Sequence, residues 1–490
     1  MFQILRRRPL WRSGFVEVWL QSRQWIRQET RFRYISTRVQ DVDDIPHVID
    51  QTGLSGRVYI LGVGNVGCFV AHSLASRQSR PPITLLMHHP GFYESFRQKK
   101  KTISVQYNNR IDQSTGYESE VWSEKRWHAV PAMGNSDEQS TFHSENLTQF
   151  DCTDDVHIDC LVVCAKTHST KQAIRSVRHR LNSDSTILLL QNGMGMVDIL
   201  NKEVFPDPQT RPNFIQGVFS HGLMKRERFM VLRKGVGTTI LAPTINTRTS
   251  LVGAEDTQWA PTTKYLLRLF SLTPSLVASV ETPAGLLQWQ LEKLAVNCVI
   301  NPLTALNECK NGDLLYLVSC TRIMRLLLFE ISSVICALPE LQGVPGIEAR
   351  FSPERLVRQV LDIASRTAAN RSSMAQDMRQ RRRTEIEFLN GWIVRRGEEL
   401  GIKCVVNYMI KHLVIMKTLM KQREEAKAIP IDYRSLVHLR GTQSTQQTPD
   451  SLDISYDEET PDDVEVRENT SVPDDEENKI HDLPQGTSDR

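Results

Sequence analysis

Val58-Tyr-Ile-Leu-Gly62-Val-Gly64-Asn-Val-Gly67-Cys-Phe-Val-Ala-His-Ser-Leu74 is the stretch whose reading decides the fold. Four apolar residues read as a buried strand. Three glycines at Gly-x-Gly-x-x-Gly spacing read as a tight turn, and an apolar-periodic helix follows. In that setting the glycines have separate tasks. Gly62 makes the turn, Gly64 lets a pyrophosphate approach the backbone, and Gly67 lets the helix pack on the strand. The helix N-terminus offers free N–H groups and partial positive charge to phosphates. Val63, Asn65 and Val66 complete the loop, so residues 62–67 are the expected cradle of a dinucleotide.

Working outward, a second strand spans Ile83-Thr-Leu-Leu-Met87. An Asp or Glu at its end would bind a ribose 2′-OH and favour NAD. The end here reads His88-His89-Pro90, with Arg97 and Lys99-Lys100-Lys101 soon after. No carboxylate stands there to repel a 2′-phosphate, so the expected cofactor is NADP, with His88 and His89 beside it. The three lysines also fit a plain solvated loop. Further strands are expected at Cys160-Leu-Val-Val-Cys164, Thr186-Ile-Leu-Leu-Leu190 and Gly217-Val-Phe-Ser220, with an edge strand at Gly235–Leu241. Strands alternating with helices predict an α/β Rossmann-type domain, a doubly wound and mostly parallel sheet. From Pro261 to about Lys427 the pattern is helical, broken at Pro274, Pro302, Pro339 and Pro345, which predicts an all-α C-terminal domain. The polar stretch Thr244–Thr257 marks the boundary, giving expected domains at 55–250 and 258–428.

A second segment carries the chemistry: Lys293-Leu-Ala-Val-Asn297-Cys-Val-Ile-Asn301-Pro. Lys293, Asn297 and Asn301 recur at i, i+4 and i+8. Each step turns roughly 400°, so the three polar heads drift only about 80° and share one face of an otherwise apolar helix. Burying such groups unpaired is costly. The spacing suits a cleft for a small polar ligand; it also suits a satisfied core network or a solvated face.

With these motifs the chain resembles the ketopantoate reductase (2-dehydropantoate 2-reductase) family from about Val58 to Lys421. The glycine loop matches. Cys164-Ala-Lys166-Thr is similar to the family's strand-end segment, and Gln191-Asn192-Gly-Met-Gly195 to its Asn-Gly-Met-Gly loop. Asn370-Arg-Ser-Ser373-Met-Ala-Gln-Asp377 and Arg383-Thr-Glu385-Ile-Glu-Phe-Leu-Asn-Gly resemble its last motif. The resemblance implies NADPH-dependent reduction of 2-dehydropantoate to pantoate, a step of pantothenate and coenzyme A biosynthesis. It implies that Lys166 and Asn192 lie at the cofactor, and that Lys293 and Glu385 are catalytic. Asn297, Asn301, Asn370 and Ser373 would bind substrate. Alternatives within its reach are another branched 2-ketoacid as substrate, or a non-catalytic NADP-binding regulatory protein of an organelle. The departures are His88 and His89 where the family usually has an arginine, a polar insertion at 112–146, and extensions at both ends.

The 490 residues have ordinary hydrophobic (40%) and charged (24%) fractions, enough to bury large cores. The net charge of +3 hides an asymmetry: residues 1–40 carry nine arginines against two glutamates, and residues 441–490 carry fifteen acids against three bases. The leader 1–40 is Arg-rich, acid-poor and lysine-free, which predicts a mitochondrial transit peptide processed near Tyr34–Thr37 and a matrix location, with the cytoplasm as the alternative. The acidic tail 440–490 has too few large apolar groups to offset ordering entropy and reads as disordered. Nine cysteines without a Cys-x-x-Cys pair, and no His cluster at ligand spacing, predict reduced thiols and no metal. The longest apolar run is too short for a membrane span. The arginine run Arg379–Arg383 has no interleaved aromatic platform, which argues against a nucleic-acid partner. The expected partner is a small 2-ketoacid, and a homodimer is the assembly to test.

Overall fold

The computed structural model describes residues 53–130, 151–244 and 259–428. The leader, the acidic tail, residues 131–146 of the polar insertion and nearly all of the Thr244–Thr257 boundary lie outside them.

The chain starts with β1 (Val58–Leu61), α1 (Asn65–Ala75), β2 (Ile83–Met87) and α2 (Pro90–Gln98). Then come β3 (Ile103–Tyr107), β4 (Arg110–Ser114), β5 (Glu118–Ser123) and β6 (Arg126–Val130). β7 (Cys160–Val163), α3 (Thr167–Arg175), β8 (Thr186–Leu189), α4 (Met196–Glu203) and β9 (Asn213–Phe219) follow. β10 (Gly222–Glu227), β11 (Met230–Gly235), β12 (Thr239–Pro243), α5 (Pro261–Ser271) and β13 (Ala278–Val280) complete the sheet region. The main sheet runs β13-β12-β9-β8-β7-β1-β2-β5-β6. Its six middle strands from β9 to β5 are mutually parallel. Strands β1, β7 and β8 are buried along their whole length, which is why they read as continuous apolar runs. The order reverses at β1, so the crevice above its carboxyl end is the topological switch point where such sheets bind ligands.

A second sheet, β10-β11-β3-β4, packs on the far side of α1. Ile103, Val105, Phe229 and Val231 from it join Phe69 and Leu74 of α1 in one core.

Three expectations change here. The described part of the 112–146 insertion, residues 112–130, is sheet: the end of β4, then β5 and β6. It reads as polar because buried Glu120 stands in β5, where Arg180 Nη1 donates to its carboxylate at 2.6 Å. The expected edge strand at Gly235–Leu241 is two elements, the end of β11 and the start of β12, and β12 lies inside the sheet because β13 covers it. Helix α5 belongs to the sheet, not to the 258–428 domain. Its Tyr265, Leu266, Leu269 and Phe270 pack into the sheet core, and Tyr265 Oη donates to Gly56 O at 2.7 Å.

The helical part begins with α6 (Pro283–Leu306), followed by α7 (Val318–Cys336), α8 (Ile347–Arg350), α9 (Pro353–Arg366), α10 (Ser373–Arg379), α11 (Asn390–Glu399) and α12 (Val405–Ala428). Thr282 caps α6 by accepting from Gly285 N, and Pro283 occupies its first turn. The helix does not break at Pro302, contrary to the sequence pattern. A proline there cannot donate to Cys298 O. Instead Asn390 Nδ2, buried in α11, donates to that carbonyl at 2.9 Å, so the backbone is satisfied and α6 continues. The α6 helix contacts β9 and β12 as well as α7, α9, α10 and α12. Leu291, Leu294, Val299, Ile331, Phe351 and Trp392 share the bundle core.

Candidate active site

The cleft lies where the sheet meets α6. The loop after β8 contributes Gln191, Asn192 and Gly193; β9 contributes Gly217 and Val218; α6 contributes Gln290, Lys293, Leu294 and Asn297. Lys293 is half-buried, and its Nζ donates to Phe219 O, at the end of β9, at 2.7 Å. Burial pushes its pKa down to about 8, against an opposing pull from the Glu385 carboxylate. The ammonium is therefore mostly charged at neutrality yet close to giving up its proton.

Glu385 is buried and is held by the sheet half. Its Oε1 accepts from Thr167 N at 3.1 Å and lies 3.0 Å from Thr167 Oγ1; Oε2 accepts from Asn192 Nδ2 at 3.3 Å. Thr167 is the first residue of α3, so the carboxylate sits at a helix N-terminus, where negative charge is favoured. Glu385 acts on Lys293 through its field; its hydrogen bonds fix Asn192 and the start of α3.

The other expected residues divide. Asn297 lines the cleft one turn beyond Lys293. Asn301 is buried a further turn along, outside the lining. Ser373 and Asn370 do not line it either. Ser373 opens α10 but does not cap it: Ser372 accepts from Ala375 N at 3.1 Å and pairs with Thr304 Oγ1 at 2.7 Å. Asn370 Oδ1 accepts from Lys234 Nζ of β11 at 3.3 Å. Lys166 Nζ donates to buried Asp377 Oδ2 of α10 at 2.7 Å, and Arg382 Nη2 holds the other oxygen at 2.9 Å.

The glycine loop fits a dinucleotide. Gly62 has φ +94°, and a Cβ there would meet Ala165 N at 2.4 Å. A Cβ on Gly67 would lie 2.1 Å from Gly62 O. At Gly64 nothing stands within 4 Å, which leaves an open approach to the backbone of residues 63–66. No side chain caps the N-terminus of α1. In the cleft, buried Gln191 Nε2 has no partner while its Oε1 accepts from Thr170 Oγ1, so both amide N–H groups are unused.

His88 and His89 stand directly after β2, at its carboxyl end. His88 is exposed, and its ring packs edge-on against Trp127 at 5.2 Å. His89 Nδ1 accepts from Gly91 N at 3.0 Å and caps α2. Arg97 and Lys99–Lys101 lie at the opposite end of α2, some nine residues or roughly 13 Å away.

The sequence reading missed Thr167, Gln191, Gln290 and Asp377. Thr167 and Gln191 adjoin residues already singled out. Gln290 precedes Lys293 by three, a helical neighbour spacing, and donates to Gln216 Oε1 at 3.1 Å. Asp377 closes the motif that begins at Asn370 but was assigned no role. Among the described residues no group of His, Cys, Asp and Glu is placed to hold a metal, and no helix is long and apolar enough to cross a membrane.

A Rossmann-type sheet, a glycine cradle at its switch point and a lysine facing it from an α-helical half define a two-domain dinucleotide-dependent oxidoreductase. Comparison with known proteins narrows this. The ketopantoate reductase PanE/ApbA family model matches residues 58–245, and the model of the family's C-terminal part matches 286–418. The chain belongs to the ketopantoate reductase family, oxidoreductases that act on a CH–OH group. A probable 2-dehydropantoate 2-reductase of Schizosaccharomyces pombe is 26% identical over 357 residues, 72% of this chain and 94% of the relative. A ketoisovalerate reductase of Beauveria bassiana is 24% identical, over 71% of this chain and 79% of its own. Among solved structures, a dimeric ketopantoate reductase of Staphylococcus aureus shares the fold with 19% identity and a TM-score of 0.50, covering 74% of this chain and 99% of that one.

Proposed function

We propose that this protein reduces 2-dehydropantoate to pantoate with NADPH. The observation that carries the reading is Lys293, set in a cleft whose other polar groups are neutral carboxamides. When bound, the cofactor supplies the hydride. The carbonyl oxygen gains negative charge as the hydride arrives, and Lys293 Nζ stabilises that charge and delivers the proton. The bond to Phe219 O orients the ammonium. Asn297 and Gln290 offer donors and acceptors suited to a substrate hydroxyl, while Leu294 and Val218 give an apolar wall for geminal methyls. Glu385 keeps Asn192 in place beside the reacting carbon.

A second substrate, 2-ketoisovalerate, is favoured by the Beauveria bassiana relative and by the same apolar wall. It lacks the hydroxyl. A site that hydrogen-bonds a hydroxyl discriminates strongly against an analogue without it. Steady-state kcat/KM for both ketoacids decides between them: preference for 2-dehydropantoate by tenfold or more, on the order of one well-placed hydrogen bond, is expected. Equal values, or the reverse order, would overturn the assignment. The Staphylococcus aureus relative supports a homodimer, which light scattering tests. The basic leader supports mitochondrial import; N-terminal sequencing of protein purified from its own cells should begin near residues 34–37, and an intact Met1 would count against it.

A further inference from the structure

We infer that the β5–β6 hairpin, through Lys125 and Arg126, holds the 2′-phosphate of the cofactor. This inference rests on the NADPH reading above. Strand β5 lies beside β2 and parallel to it, with Thr84–Met87 opposite Glu118–Val121. The carboxyl end of β5 therefore leaves the sheet next to the carboxyl end of β2. In this fold the adenine-side ribose lies at that edge. The hairpin is pinned there: Trp127 of β6 packs against Trp122 at 5.3 Å and takes the His88 ring edge-on at 5.2 Å.

The turn itself is unusual. Ser123 pairs with Arg126, so only Glu124 and Lys125 make the reversal, at φ +51° and +64°. A two-residue turn with both φ values positive normally selects Asn-Gly or Gly-Gly, because the left-handed conformation costs other residues about 1–2 kcal/mol each. Here the chain carries Glu-Lys followed by Arg. Lys125 and Arg126 are exposed, and among the described residues neither has a carboxylate within ion-pair distance. Glu124 sets one negative charge against these two positive ones. Of the cations that follow β2 in sequence, Arg97 is engaged with Glu94, Lys99 with Glu227 and Lys101 over the Tyr93 ring, while exposed Lys100 lies beyond the far end of α2. The His88 ring packs on Trp127, and His89 caps α2. The hairpin thus puts two cations beside the end of β2, where the chain has no arginine.

The test is equilibrium binding to the full-length protein, followed by calorimetry, without turnover. The ligands are NADPH and NADH, with adenosine 2′,5′-bisphosphate and 5′-AMP as fragments. Wild type should prefer the 2′-phosphorylated member of each pair. Lys125→Gln with Arg126→Gln should weaken NADPH and the bisphosphate by roughly 10–100-fold, the range for losing hydrogen bonds to a charged group. NADH and 5′-AMP should bind as before, which also shows that the variant is folded. Lys125→Arg should keep the preference. If wild type prefers the 2′-phosphate and the double variant retains that preference, the hairpin assignment falls and the NADPH reading stands. If wild type binds NADPH and NADH alike, the NADPH reading falls and the hairpin assignment with it. Equal loss for all four ligands would mean a general loosening of the fold and would also overturn it.

Discussion

Lys293 works at a pKa that burial has lowered to about 8. Reduction needs the ammonium, so kcat/KM for the ketoacid should stay level below pH 8 and fall about tenfold per unit well above it. The reverse oxidation needs the neutral amine and should rise through the same pH. Stopped-flow rates in both directions check the sign, and two profiles moving the same way would contradict the assignment. Replacing Lys293 by Ala should lower kcat by roughly 10²–10⁴-fold with little change in cofactor Kd, because the glycine loop is built by other elements. A separate feature at this scale is Val277, a β-branched residue at φ +45°. The left-handed conformation costs such a residue about 1–2 kcal/mol, and glycine gives back part of that through its freer unfolded chain. Val277→Gly should raise stability by roughly 0.5–1 kcal/mol, seen as a higher urea midpoint at unchanged slope.

Among the elements, α6 depends on a partner far along the chain. Asn390→Ala removes the donor to Cys298 O and should cost about 1–3 kcal/mol, the penalty of an unsatisfied buried carbonyl. In that background Pro302→Ala supplies a backbone N–H to the same carbonyl, and part of the loss should return. A double-mutant cycle by chemical denaturation reads this, and no recovery would show that another group satisfies Cys298 O. The same pair shows what sequence can and cannot reveal. The β1–α1 unit was legible because its period changes from continuous apolar to helical across three glycines. The Lys293–Asn297 face was legible because polar heads at four-residue steps stand out on an apolar helix. The continuity of α6 through Pro302 was not legible, since the compensating donor is 88 residues away. Nor were β5 and β6, because a buried Glu120 looks like a loop residue until Arg180 is folded against it. The packing of His88 was not legible for a similar reason: Trp127, against which its ring lies, belongs to a strand the pattern had missed.

At the scale of the whole molecule, the sheet and the bundle are tied together by polar links around the cleft. Lys166 reaches Asp377, Thr167 and Asn192 reach Glu385, and Met194 N donates to Phe388 O at 3.0 Å. Asp377→Asn keeps the shape but weakens charge-assisted bonds to Lys166 and Arg382, and it should cost on the order of 1–3 kcal/mol in thermal unfolding. Its effect on cofactor Kd should exceed that on ketoacid KM, since Lys166 sits at the start of α3. Titration by protein fluorescence separates the two, and an equal change in both would place the link elsewhere.

The α6 helix touches β9 and β12 near its start and forms the centre of the bundle along the rest. The residue expected to deliver the proton therefore rides on the rod that the bundle core grips. Heat inactivation and loss of structure should then be one event with one rate. Residual turnover and ellipticity at 222 nm, followed in the same heated sample, should decay together, leaving no time window in which a folded but catalytically dead species accumulates.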